Sequence, residues 1–167
     1  MKTLKTFIII LYLLYPCYSY SEDKVAFINL DKVIKNSTQG KELINKIEKL
    51  DKKNLSSLEQ KQSEIKKFED EINSKRNIVS KEETLKDIEK LKNQIKLFND
   101  EKNKMVTDLN IFKKTELDKI MKKINPIIQS YMEKNSIEIL LDSKYIYIGS
   151  ANSDLTQIII EKLNNTN

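Results

Sequence analysis

Carboxylates and amines make up most of the side chains that could do chemistry, because the chain contains no histidine and only one cysteine. Adjacent carboxylates, which are candidates for general acid and base catalysis, occur at Asp70-Glu71 and Glu82-Glu83. Neighbouring residues on a helix point in different directions, and lysines accompany both pairs, so we interpret the pairs as solvated surface. We therefore predict no catalytic residue and a protein that is not an enzyme.

The first 21 residues have the order of a secretory signal peptide. Two lysines precede the apolar run 7–14, Pro16 ends that run, and small residues follow at Ser19 and Ser21. The run is too short to span a bilayer. We predict a signal peptide over residues 1–21 with cleavage after Ser21, although cleavage after Ser19 also fits. A retained N-terminal anchor is the alternative.

Cofactor and metal sites are not predicted in the mature chain. Removal of the signal peptide also removes Cys17, the single cysteine, which excludes thiolate and imidazole metal sites and Cys-His or Ser-His-Asp catalysis. The two glycines, Gly40 and Gly149, cannot form a Gly-x-Gly-x-x-Gly loop, and Gly40-Lys41 lacks the earlier glycine of a Walker A loop. We expect no cofactor and no metal.

Residues 41–125 contain neither glycine nor proline, and helix is the state that such a stretch sustains longest. A single helix of this length would span more than about 120 Å. Ser80 and Glu83 have the spacing of a capping box that starts a second helix. We predict an antiparallel helical hairpin, a coiled-coil arm over 41–125 with its tip near 76–80. An unbroken coiled-coil rod is the alternative.

Apolar residues spaced by three and four predict the faces along which the two helices pair. The stripe predicted in the first half comprises Leu43, Ile47, Leu50, Leu58, Ile65, Phe68 and Ile72. The heptad seam predicted in the second half includes one lysine and comprises Leu91, Ile95, Phe98, Lys102, Met105, Leu109 and Phe112.

The ends of the mature chain predict a small α/β body from residues 22–40 and 126–167. We predict strands at 24–30, 137–141 and 145–148, a turn of helix capped by Asp31, and a last helix that starts near Asp154. Pro126 either bends the arm helix or marks its end. The predicted fold class is α+β and mostly helical, with the long hairpin inserted into a small β-rich body.

A body of 61 residues buries little apolar surface alone and leaves open strand edges, so we predict that several copies associate through it. The apolar residues assigned to this oligomerisation body are Val25, Phe27, Ile28, Ile137, Ile139, Leu141, Ile146 and Ile148.

Both ends of the mature chain resemble those of the Skp/OmpH-family periplasmic chaperones. Residues 24–41, which read Lys-Val-Ala-Phe-Ile-Asn-Leu-Asp-Lys-Val-Ile-Lys-Asn-Ser-Thr-Gln-Gly-Lys, are similar to the opening strand, short helix and step into the arm in that family. Residues 137–148, followed by 154–160, are similar to its closing hairpin and terminal helix. The similarity covers the mature chain in order, and its helical middle is the least specific part.

The resemblance implies a periplasmic homotrimer in which three helical arms enclose a cavity. It implies an ATP-independent holdase chaperone that binds unfolded outer-membrane β-barrel proteins and prevents their aggregation. It also implies a contact with membrane lipids or lipopolysaccharide, to which no residue of this sequence is matched.

The charge and the remaining apolar residues of the arm are compatible with that role. Residues 41–125 contain 22 basic and 17 acidic residues, and their positive excess would favour encounter with acidic clients. Apolar residues outside the predicted seams either contact clients or pack within and between arms. These candidates for client contact are Ile44, Leu55, Ile78, Val79 and Leu97.

A secreted or envelope coiled-coil structural or spacer protein is the alternative function. It would explain the heptads, although it explains the strand-rich ends less well. Nucleic-acid binding is not predicted, because the basic excess is small and positive and negative residues are mixed along the predicted helices.

Overall fold

The fold is built around two short strands that lie far apart in sequence. The computed structural model describes residues 24–166, and the predicted signal peptide lies outside them. Strand β1 (Lys24–Ile28) pairs in parallel with β2 (Ile137–Asp142), and Ala26 lies opposite Leu140. A parallel pair requires a long crossover connection, which here is the entire helical hairpin.

The hairpin consists of two long helices, α2 (Thr38–Lys75) and α3 (Lys81–Asn135). At 1.5 Å per residue they are about 57 Å and 82 Å long. The chain reverses between them at residues 76–80, which excludes the unbroken rod. Ser80 caps α3 as predicted, since its hydroxyl accepts a hydrogen bond of 3.2 Å from the Glu83 amide. The predicted α+β hairpin fold is confirmed.

The hairpin helices extend further towards the body than the predicted limits of 41 and 125. Helix α2 begins at Thr38, and α3 continues through Pro126 to Asn135. Pro126 therefore lies inside the arm helix and does not end it. The helix ends instead at Ser136, whose left-handed conformation (φ 54°) directs the chain into β2.

The hydrophobic core lies where the base of the hairpin meets two short helices, α1 (Leu30–Asn36) and α4 (Thr156–Asn164). The core thus combines residues from both ends of the described chain with residues from both arm helices. Its buried members are Ala26, Ile28, Val33, Leu43, Ile120, Ile124, Leu155, Ile159, Ile160 and Leu163.

Polar contacts fix the junction between the two chain ends. The Asn29 amide donates to Thr156 Oγ1 at 2.9 Å, and the Leu155 amide donates to the Phe27 carbonyl at 2.9 Å. Asp154 accepts hydrogen bonds from the amide and the hydroxyl of Thr156. These contacts hold the segment before α4 against the edge of β1 that β2 does not occupy.

The predicted end of β1 and the predicted cap of the next helix were wrong at this junction. Strand β1 ends at Ile28, and the side chain of Asn29, not Asp31, caps the following helix by accepting from the Lys32 amide at 2.8 Å. The last helix does start near Asp154, since α4 begins at Thr156, whose amide donates to the Asp154 carboxylate at 2.9 Å.

The third strand predicted at 145–148 is absent from residues 24–166. Ser143–Tyr145 form a turn of 3-10 helix, and the next residues are irregular. A strand needs a hydrogen-bonded neighbour. The outer edge of β2 has no paired strand within residues 24–166, because the chain turns at Ser143–Tyr145 and does not run back along it. The apolar pattern of residues 145–148 therefore predicted a strand, but it did not specify which strand would pair with it.

One substitution tests the packing at the base of the arm. Gly40 lies in the first turn of α2, and a Cβ atom there would overlap the Ile34 carbonyl oxygen of α1. Alanine would raise helix propensity by about 1 kcal/mol. The steric overlap opposes this gain, so we expect Gly40→Ala to lower the free energy of unfolding by about 2 kcal/mol in urea titrations.

Ser56→Ala, at an exposed position of the same helix, is the matched control and should leave stability unchanged or slightly higher. All proteins are compared at one concentration, because association changes apparent stability. A Gly40→Ala protein as stable as the wild type would contradict the close approach of α1 and α2.

Candidate functional site

The two arm helices contact each other along faces with different repeat lengths. In α2, buried or half-buried residues recur every seven positions from Gly40 through Lys61 to Phe68. In α3, they recur every seven positions at Thr84, Leu91, Phe98, Met105 and Phe112, and every eleven positions from Phe98 through Leu109 and Ile120 to Tyr131. A seven-residue and an eleven-residue repeat correspond to opposite supercoil hands. The two faces therefore cannot stay matched along the whole arm.

The heptad seam predicted for α3 was wrong at two positions. Ile95 and Lys102 are exposed, whereas Glu101 is half-buried against α2. The prediction assumed 3.5 residues per turn, and a helix that is not overwound drifts by about 20° per heptad. The other seam residues are buried or half-buried, namely Leu91, Phe98, Met105, Leu109 and Phe112.

A half-buried ion pair joins the helices near the middle of the arm. The Lys61 ammonium contacts the Glu101 carboxylate, and these side chains are 42% and 33% exposed. Partial burial of a charge is costly unless its partner lies close. The pair therefore favours one register of α2 against α3.

Next to this ion pair lies a pocket of about 310 Å³, which we call the mid-arm pocket. Its apolar walls come from both helices and include two phenylalanine rings. Its lining residues are Lys61, Glu64, Ile65, Phe68, Gln94, Leu97, Phe98 and Glu101.

The structure places one of the five candidate client-contact residues at this pocket. Leu97 lines it and is 66% exposed. Leu55 is exposed on α2, and Ile78 is exposed in the reversal at the end of the arm. Ile44 and Val79 are half-buried, which favours packing within the arm for these two.

Other exposed apolar residues of the arm were missed by sequence reasoning. Leu85, Val106 and Ile111 are all more than half exposed. Each is an apolar residue outside the predicted heptad seam, and this position is the sequence signal that identifies it as a candidate for exposure. Together with Leu97 they leave apolar side chains exposed along much of α3.

The body has a second uncovered apolar surface, which continues from the sheet into the segment after β2. Val25, Ile139 and Leu141 are exposed on the strands, and Tyr147 and Ile148 are 98% and 84% exposed beyond them. The remaining residues predicted for the oligomerisation body are more covered: Phe27, Ile137 and Ile146 are half-buried, and Ile28 is in the core.

Local contacts hold the start of this segment in place. The Asp142 carboxylate accepts from the Lys144 amide at 3.0 Å, and the Lys144 ammonium lies 3.0 Å from the same carboxylate. The backbone hydrogen bond and then the ammonium lower the pKa of Asp142, and the carboxylate raises the pKa of Lys144. The Lys144 ammonium also lies 5.0 Å from the Tyr145 ring centre. Gly149 permits a close approach to the Phe27 ring, because a Cβ atom there would lie 2.5 Å from Cε1.

The shifted pKa values elsewhere arise from ion pairs on exposed helix surfaces. A hydrogen bond from Lys119 lowers the pKa of Glu116, and a hydrogen bond to Asp108 raises the pKa of Lys104. Within residues 24–166, no cluster of three or more acidic, histidine or cysteine side chains could hold a metal ion. No helix of that range is long and apolar enough to cross a membrane.

Comparison with known proteins gives a family match and several structural matches. The family model described as outer membrane protein (OmpH-like) matches residues 24–163. A crystal structure of a candidate outer membrane chaperone (OmpH-like) from Caulobacter crescentus CB15 is similar with a TM-score of 0.79. The two chains are 12% identical over 91% of each, so this similarity concerns the fold. No curated protein matches the sequence.

Proposed function

The chain belongs to the OmpH-like outer membrane protein family, and we propose that it is an ATP-independent holdase chaperone for unfolded outer-membrane β-barrel proteins. One observation carries the proposal. A charged two-helix arm with exposed apolar side chains extends from a body whose core packs around the base of the arm. The similar Caulobacter protein is described as a candidate outer membrane chaperone, which supports the same role here.

The physical properties of the arm suit weak and adaptable binding. Each arm helix has a single helical neighbour over most of its length, so apolar side chains away from the contact face remain accessible. An unfolded barrel protein presents alternating apolar side chains and unpaired backbone, through which it aggregates. Several separated apolar residues can cover such a chain without requiring one sequence.

We propose that the mature chain begins after the signal peptide, acts in the periplasm and has no enzymatic activity. The body, formed from residues 22–40 and the chain after the arm, would join three copies. The uncovered apolar surface of the body supports this assembly, because a monomer in water would leave Tyr147 and Ile148 almost fully exposed.

The chaperone role predicts suppression of aggregation without nucleotide. A β-barrel membrane protein is diluted from urea into buffer with a stoichiometric amount of assembled mature protein, and light scattering is recorded. We expect scattering to fall strongly, and added ATP to have no effect. A coiled coil rich in lysine and glutamate but lacking the body is the control for nonspecific effects of charge.

Scattering that stays at the level of the client alone would contradict the chaperone role. Equal suppression by the control coiled coil would also contradict it, and would favour a structural or spacer role for this chain.

The assembly predicts that a charge in the uncovered surface of the body lowers the mass in solution. Ile148→Asp changes a side chain that contacts little within one chain, so the fold of the monomer should persist. We expect the wild type to sediment as a trimer and the variant as a smaller species, because burial of the carboxylate would be costly. Helix content by circular dichroism should not change.

Val106→Asp, an exposed apolar residue on α3, is the matched control and should keep the wild-type mass. An Ile148→Asp protein with unchanged mass would show that this segment is not part of the subunit contact.

A further inference from the structure

The mid-arm pocket exists because the helix contact is incomplete at one place. Between the half-buried residues Leu91 and Phe98, every residue of α3 is exposed, and Gln94 from this stretch lines the pocket. Phe68 and Phe98 are therefore only half-buried, although both lie on the contact faces of their helices.

The walls of the pocket suit a single large apolar side chain. Two phenylalanine rings together with Ile65 and Leu97 offer an apolar lining from both helices. Its volume of about 310 Å³ is at the small end of the range for ligand pockets. Aromatic rings pack favourably at offset or edge-to-face angles, so a further ring is the side chain that gains most from such walls.

The rim of the pocket carries a net negative charge. Its charged residues are Lys61, Glu64 and Glu101, and the first and last of these pair with each other. The Glu64 carboxylate accepts a hydrogen bond from the side-chain amide of Gln60. Within residues 24–166, no ammonium lies within ion-pair distance of this carboxylate. The local charge is thus opposite to the positive excess of the whole arm, and it complements a cation next to the bound side chain.

We propose that the mid-arm pocket binds one aromatic side chain of an extended client segment, and that Glu64 favours segments in which lysine or arginine flanks that side chain. This inference rests on the proposed chaperone function and assigns it a particular binding position. Long-range attraction by the positive arm acts on the whole client, whereas Glu64 acts on the residues next to the inserted ring.

A tryptophan-containing peptide provides a direct probe, because this chain contains no tryptophan. The probe is the acetylated and amidated peptide Ser-Lys-Thr-Trp-Thr-Lys-Ser, which is too short to fold. It is titrated with the full mature protein while tryptophan fluorescence is recorded. Insertion into the pocket should shift the emission to shorter wavelength, and a peptide with glutamate in place of both lysines should bind several-fold more weakly.

Two substitutions of exposed residues on α3 separate the pocket from the rest of the arm. Leu97→Ser removes an apolar side chain from the pocket wall without adding a charge, and we expect it to weaken peptide binding about tenfold. Asn110→Ser, at an exposed polar position outside the pocket, is the matched control and should bind the peptide like the wild type.

The role of Glu64 has its own test. In Glu64→Gln, the preference for the lysine peptide over the glutamate peptide should shrink, while the blue shift on binding of either peptide remains. A preference that is unchanged in this variant would overturn the assignment of Glu64.

Three results would overturn binding in the pocket. The peptide could bind Leu97→Ser as tightly as the wild type, bind Asn110→Ser as weakly as Leu97→Ser, or show no blue shift. Sedimentation of Leu97→Ser gives a further check: a lower mass would show that the pocket is covered by another copy of this chain.

The aggregation experiment distinguishes failure of this inference from failure of the chaperone role. If the wild type suppresses aggregation but the peptide binds Leu97→Ser and Asn110→Ser equally well, the pocket assignment fails and the proposed function stands. If the wild type does not suppress aggregation, the proposed function itself fails.

Discussion

The parallel pairing of β1 with β2 is the constraint on which the rest of the structure depends. It joins residues separated by the whole helical hairpin, for example Ala26 and Leu140. The entropy cost of closing a long connection grows only slowly with its length, so a long insertion is tolerated once the ends have a stable contact. The buried residues of α1, α4 and the base of the hairpin supply that contact.

Because of this arrangement, helix α3 contributes both to the body core and to the arm. Ile120 and Ile124 are buried in the body core, whereas Phe98 lies far out on the same helix, in the contact with α2. The body thereby fixes the direction in which the arm leaves it. Beyond the body, the arm has only the contact between its two helices, and regions with few buried contacts open at lower free energy. A rigid body and a more adaptable arm follow from the same chain path.

Much of the fold was predictable because its signals are local. The absence of glycine and proline between 41 and 125 predicted the long helices, and Ser80 with Glu83 predicted where the second begins. The strand predicted at 145–148 failed because strand formation depends on a neighbour, which an apolar pattern does not specify. Asn29 was missed as a cap because Asp31 and Asn29 are both suitable residue types, and only the end of β1 decides between them.

The candidate site was much less predictable than the fold. Leu97 was identified as an apolar residue outside the seam, but its position beside Phe68 depends on how the two arm helices align with each other. The contact of Lys61 with Glu101 likewise joins residues forty positions apart, and the heptad pattern had placed Lys102 on that face. Small differences between repeat lengths accumulate along a helix, so a heptad pattern does not decide which residues of α3 face α2 far from the body.

Hydrogen exchange of the mature protein with and without an unfolded β-barrel client tests the central claim most directly, namely that a closed body carries client-binding arms. Without client, amides of β1, β2 and α4 should exchange more slowly than those around residues 94–101. With client, added protection should be confined to the arm helices α2 and α3. Client-dependent protection in the body with none on the arms, or fast exchange in β1 and β2 of the free protein, would contradict the account.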